Sequence, residues 1–261
     1  MVINSENEIK GVYPLTPLQE GMLYHHMTDG ESNEYIMQYV FNLAGIVIEE
    51  HLIQALRLLT IRHEVLKTAF IHEKLASPRQ IVVGSREVEY EQIDLLELHE
   101  IDQNAKLAEI SELDVKRGFD IQNDSLLRVK YIILSNENRK MIWDFHHLII
   151  DSWCLSLLIN DFKRYYNSLN NGKTKKQLLE LITEEKSQAA GYGDYIQWLD
   201  QQDKKAGLSY WKKLLVDYDE TAEIKPLTQP EQTTVQMVKQ SIRITEKATS
   251  GLQDLFPIRV A

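Results

Sequence analysis

Along Tyr35–Leu43, strongly apolar Tyr35, Met37, Tyr39, Phe41 and Leu43 alternate with Ile36, Gln38, Val40 and Asn42. A period of two reads as a strand with one strongly apolar face. Leu52, Ile53, Leu56 and Leu59 recur at helical spacing, so Glu49–Arg62 is expected to form an amphipathic helix. Before these, Thr16–Met27 reads as a helix with a marked start: Thr16 as N-cap, Pro17 at the first helical position and Gln19 three residues after the cap. Asp29-Gly30 reads as its stop. Two short strands are expected at Arg79–Val83 and Glu87–Ile93 around a turn, and a helix at Asp102–Arg117 closed by Gly118.

Leu126–Leu134 and Lys140–Phe145 read as a hairpin about Ser135-Asn136-Glu137-Asn138. Trp153–Leu169 reads as a long helix stopped by Asn170-Asn171-Gly172. The polar run 173–188 reads as a linker between two lobes, with a helical turn allowed at Leu178–Ile182. Helices follow at Gly191–Trp198 and Leu208–Leu215, then a strand within Thr233–Ile244 and a helix starting at Glu246. Strands and helices mix without regular βαβ alternation, which disfavours a doubly wound parallel sheet. The expected class is α+β: residues 1–172 as one lobe of mixed sheet with helices packed on it, and 189–261 as the beginning of a second, incomplete lobe.

The 261 residues, 43% hydrophobic and 26% charged, suit an ordinary globular protein with a sizeable core. A formal charge of −10 argues against nucleic acid and anionic membrane surfaces as partners. The single cysteine, Cys154, precludes an intramolecular disulfide and fits a reducing cytoplasm. The polar N-terminus lacks the features of a signal peptide, and no apolar run has the length of a membrane span.

The candidate chemistry lies at the end of the hairpin. An apolar strand, Met141–Phe145, runs into His146-His147, three apolar residues and Asp151. Neighbouring side chains on extended backbone point to opposite faces, so one histidine is expected to be buried and the other to face a cavity. Histidine is the side chain best suited to moving a proton near neutral pH. Asp151, just past the strand, can fix a ring, cap a helix or pair with a cation. A metal site is not expected, because adjacent histidines diverge and no HExxH or second Cys/His cluster is present. There is no GxSxG elbow and no GxxxxGK[ST] loop, which excludes a typical serine hydrolase and ATP activation by this chain. Cys154, three residues after Asp151, is read as inert buried packing.

Four motifs in order resemble the condensation domain of non-ribosomal peptide synthetases. Tyr13-Pro14-Leu15-Thr16-Pro17-Leu18-Gln19-Glu20-Gly21-Met22-Leu23 is similar to the family's opening motif. Arg62-His63-Glu64-Val65-Leu66-Lys67-Thr68 resembles RHExLR, and His146–Trp153 resembles HHxxxDGW. Tyr192-Gly193-Asp194-Tyr195-Ile196-Gln197-Trp198, continued by Tyr210-Trp211, resembles the fourth, and Gly118-Phe119-Asp120-Ile121 with Leu126-Leu127-Arg128 resembles the segment before the histidines. Ser152 stands where the family usually has Gly, and Lys67 where it has a second Arg. The family's later motifs have no counterpart here.

The resemblance implies two lobes related to chloramphenicol acetyltransferase, with the site in a cleft between them. It implies amide-bond formation between a donor aminoacyl or peptidyl thioester and the amine of an acceptor aminoacyl thioester. Both substrates would ride on phosphopantetheine arms of upstream and downstream carrier proteins, beside an adenylation domain, with no cofactor held by this chain. His147 would face the cleft and take the amine's proton or hold the amine. His146 would be its buried structural neighbour, Asp151 would form a buried pair with Arg62, and Ser152 and Trp153 would support the site, Trp153 as core or tunnel wall. This chain alone would be inactive. Two other readings stand beside this one: a carrier- or CoA-dependent acyltransferase of the same fold, and a non-catalytic carrier-binding or scaffold protein.

Overall fold

A computed structural model describes residues 8–28, 35–218 and 242–255. The chain divides into two compact units, one ending at Asp203 and one beginning at Lys204.

The first unit is α+β. Strand β1 (Ile9–Pro14) leads into helix α1 (Pro17–Thr28), and strand β2 (Ile36–Leu43) into helix α2 (Glu49–Arg62). A 3₁₀ turn at Glu64–Lys67 feeds β3 (Thr68–Ile71), followed by β4 (Arg79–Val83), β5 (Glu89–Asp94) and α3 (Glu100–Arg117). The hairpin β6 (Leu127–Ile133) and β7 (Arg139–His146) delivers the histidines. Helices α4 (Ser152–Asn170), α5 (Lys175–Gln188) and α6 (Tyr192–Asp200) complete the unit.

Among the described residues, seven strands form two sheets. The smaller is antiparallel, in the order β1-β4-β3. The larger is mixed, in the order β2-β7-β6-β5, with only β5 and β6 parallel. The strands expected at Arg79–Val83 and Glu87–Ile93 therefore exist but do not pair: β4 and β5 belong to different sheets. The apolar face of β2 is realised. Tyr39 stacks on Phe145, and Phe41 meets the edge of Trp143, which in turn meets Phe162 of α4. Helices α2, α4 and α5 cover this face and bury Leu52, Leu56, Leu59, Leu158, Tyr165, Leu178 and Ile182 with it.

The opposite face lies under α3. There Ile132 and Ile142 pack with Ile110, while polar groups of neighbouring strands are buried together. Arg128, fully buried, donates to the Asp114 carboxylate at 3.2 Å and to the Gly118 carbonyl at 3.0 Å, and its guanidinium sits over the Phe119 ring. Gly118 ends α3 at φ 68, a conformation that favours glycine.

The segment 173–188, expected as a linker, is helical from Lys175 to Gln188, as helix α5. Its start is a capping box in which Thr174 and Gln177 bond each other's backbone. Leu178 and Ile182, each 1% exposed, fix it to the core. Polar composition misleads here because a surface helix needs only a narrow apolar stripe. The Asp29-Gly30 stop and nearly all of the strand expected within Thr233–Ile244 lie outside the described residues.

In the second unit, α7 (Lys204–Leu214) leaves Leu208, Trp211 and Leu214 more than half exposed, and α8 (Glu246–Leu255) starts at Thr245, whose hydroxyl accepts from the Ala248 N–H. No helix among the described residues is long and apolar enough to cross a membrane.

Candidate active site

The alternation of β7 decides which histidine is buried. Met141, Trp143 and Phe145 face α2 and α4, so Asp144 and His146 face the other way. His146 is 2% exposed, whereas His147 is only partly buried. The His146 ring is enclosed by His26, Tyr35 and Phe119. Burial first, then the neighbouring His26 and His147, pushes its pKa down to about 3, so it is neutral across the physiological range. Its Nδ1 accepts from the Leu148 N–H at 3.1 Å, which puts the ring proton on Nε2. The ring is thus both neutral and fixed in place.

His147 is held by its backbone. Its N–H donates to the Tyr35 carbonyl at 2.8 Å, and the next peptide N–H is the one held by His146. Its Nδ1 is shielded from solvent and has no hydrogen-bond partner. The two histidines thus differ: His146 is locked into the fold, and His147 keeps a ring nitrogen without a hydrogen-bond partner.

Asp151 does not form the expected buried pair with Arg62. It is exposed and is the N-cap of α4, its Oδ1 accepting from the Cys154 N–H at 2.7 Å. That hydrogen bond is the main cause holding its carboxyl below the usual range. Arg62, at the end of α2, lies 3.5 Å from Glu185 of α5. Glu185 also pairs with Arg164 of α4, which reaches Asp161 at 2.9 Å, and Asp161 meets His63 at 2.7 Å. The Arg-His segment therefore fastens α2 to α4 and α5 through partners that sequence reasoning missed.

Trp153 is 85% exposed, so it is not core. Ser152, the first residue of α4, is exposed. The Cys154 thiol, expected to be buried, is exposed, and partial burial and Asp151 push its pKa up, away from the reactive thiolate. Lys67 points its ammonium towards the Gly84 carbonyl, and burial lowers its pKa.

The opening and fourth motifs meet beside the histidine turn. Thr16 and Gln19 form the expected capping box. The Gln19 side chain, 6% exposed, also donates to the Leu148 carbonyl at 3.0 Å and the Tyr192 hydroxyl at 3.3 Å. Fully buried Gln80 of β4 donates to the Pro14 carbonyl at 2.8 Å and to Gln19 Oε1 at 3.2 Å. Gln80 escaped the sequence analysis, although an amide beginning the run Gln80-Ile81-Val82-Val83 signals a buried polar group needing partners. Tyr13 packs so closely on α6 that a Cβ on Gly193 would lie 2.5 Å from its hydroxyl.

A family model described as Condensation domain matches residues 9–257. The chain belongs to the condensation-domain family. Gramicidin S synthase 2 of Brevibacillus brevis is 35% identical over 217 residues, 83% of this chain and 5% of that protein. Bacitracin synthase 3 of Bacillus licheniformis is 30% identical over 247 residues, 95% of this chain and 4% of that protein. A mutant starter condensation domain of the rhizomide synthetase RzmA has the same fold, with a TM-score of 0.67 at 17% identity, covering 82% of this chain and 50% of that one. A four-domain nonribosomal peptide synthetase bound to AMP and glycine also matches, with a TM-score of 0.61 at 17% identity over 82% of this chain and 15% of that one. The chain thus spans about half of a solved condensation domain and a small part of the curated synthetases.

Proposed function

We propose that this condensation-domain chain contributes His147 to amide-bond formation between two carrier-bound thioesters. The donor is an aminoacyl or peptidyl thioester, and the acceptor is the amine of an aminoacyl thioester. Upstream and downstream carrier proteins present both on phosphopantetheine arms, alongside an adenylation domain in a cytoplasmic synthetase. The observation behind this reading is the division between the histidines: His146 is buried, neutral and bound on Nδ1, while His147 is partly exposed and its Nδ1 makes no hydrogen bond.

In the reaction the acceptor nitrogen attacks the donor carbonyl carbon, forming the C–N bond. The C–S bond then breaks, and the departing thiolate takes up a proton. The amine must lose one proton along the way. His147 takes that proton or orients the amine by accepting a hydrogen bond from it. General-base help contributes typically ~10²–10⁴-fold, and held geometry contributes independently of it. His146, Asp151 and Arg62 act as architecture. Asp151 starts α4 at the end of the histidine turn, and Arg62 ties α2 to the helices packed on it.

The test supplies a synthetase carrying this chain in a complete condensation domain with donor- and acceptor-loaded carriers, and follows dipeptidyl product on the acceptor. Amide on the acceptor carrier is expected. No amide from loaded carriers, or transfer from an acyl-CoA in their place, contradicts the proposal.

A further inference from the structure

We propose that Gln80, acting through Gln19 and Tyr192, is a positioning residue for His147. This rests on the reading of His147 as the group that handles the amine. The peptide groups around His147 are held from three sides. The His147 N–H is fixed by the Tyr35 carbonyl, and the Leu148 N–H by the His146 ring. The Leu148 carbonyl is fixed by Gln19 Nε2. The first two restraints come from the hairpin and its neighbour strand. The third comes from a different part of the fold, the N-terminus of α1.

Gln19 can hold the Leu148 carbonyl only if its amide is oriented with nitrogen towards the turn. Its oxygen is turned the other way by two donors, the Thr16 N–H at 2.9 Å and Gln80 Nε2 at 3.2 Å. Gln80 is in turn immobilised in the middle strand of the smaller sheet, where its other amide hydrogen is spent on the Pro14 carbonyl. The Tyr192 hydroxyl accepts from Gln19 and interacts with Gln80, which brings the N-terminus of α6 into the same network. Every link needs an amide. A carboxylate at 19 could not donate to Leu148, and a carboxylate at 80 would face two oxygens. Gln19 and Gln80 are buried, so a link broken between them is not replaced by bulk water. The smaller sheet, which holds no group of the proposed chemistry, thereby sets the position of the turn that does.

The experiment uses single-turnover amide formation by a synthetase carrying this chain in a complete condensation domain. It compares wild type, His147→Ala, Gln80→Met, Tyr192→Phe and a stability control, Ile182→Ala, whose side chain is buried under α5 far along the chain from the turn. Product from wild type and its loss in His147→Ala establish the reading on which the proposal rests. Gln80→Met is then expected to slow the rate roughly tenfold to a hundredfold, the effect of small misplacement, with the half-saturating acceptor concentration unchanged. Tyr192→Phe removes one hydroxyl, is expected to slow the rate ~3- to 10-fold, and serves where Gln80→Met fails to fold. Ile182→Ala is expected to melt lower yet keep its rate. If Gln80→Met, or Tyr192→Phe in its place, is no slower than Ile182→Ala, the network is only structural and the positioning role is overturned. If wild type makes no amide, or His147→Ala makes it at the wild-type rate, the reading of His147 falls and takes this proposal with it.

Discussion

Asp144 shows how one residue beside the histidines answers to its surroundings. It is fully buried, two residues before His146, and accepts from Gln38 at 2.8 Å. Burial, and then the Asp114 carboxylate beside it, raise its pKa to about 6, against the opposing pull of Gln38 and Arg128. Asp114 is paired with Arg128 and Lys130, and these cations also meet Glu89 and Glu91. The folded state therefore holds a proton on Asp144 that the unfolded chain releases near pH 4. Its stabilising contribution is full below that pH and is lost as pH rises through about 6. Asp144→Asn mimics the protonated carboxyl, so it should raise stability by ~1–3 kcal/mol at pH 8 and by little at pH 4. Denaturant unfolding at the two pH values checks this, and an equal effect at both would contradict it. Asp151 makes the opposite case. Its motif suggested a costly buried pair, but an exposed N-cap predicts a loss of only ~1 kcal/mol for Asp151→Ala, additive with Arg62→Ala. Chemical denaturation of the single and double variants measures both terms. Spacing along a chain does not reveal which distant carboxylate an arginine meets.

At the scale of elements, helices were the most legible. Glu49–Arg62 follows from Leu52, Leu56 and Leu59, and the start of α1 from Thr16 and Gln19. Both signals are local, so they survive without tertiary information. Partnering was not legible. The strands at β4 and β5 were read as two short strands around a turn, but their assignment to different sheets depends on β1 and β6, distant in sequence. Helix α5 was hidden by its polarity, because two buried residues, Leu178 and Ile182, hold it. This changes where the chain should be cut. Trypsin should spare Lys175 and Lys176 in the first turn of α5 and cleave first near Lys204, at the boundary between the units. Mass spectrometry of the first stable product locates the cut. A fragment ending near residue 176 would show that α5 is a linker after all.

The whole chain places the histidine turn where β7, α1, β4 and α6 meet, and spans about half of a solved condensation domain. Alone, it is expected to make no amide from loaded carriers, because a catalyst that works by positioning needs both substrates held against one group. The most direct measurement of the account is single-turnover dipeptide formation on the acceptor carrier by a synthetase carrying this chain in a complete condensation domain, wild type against His147→Ala, with melting temperature recorded for both. A loss of at least ~10²-fold in rate, with melting unchanged, is the predicted result. A His147→Ala synthetase that forms the amide at near wild-type rate would contradict it.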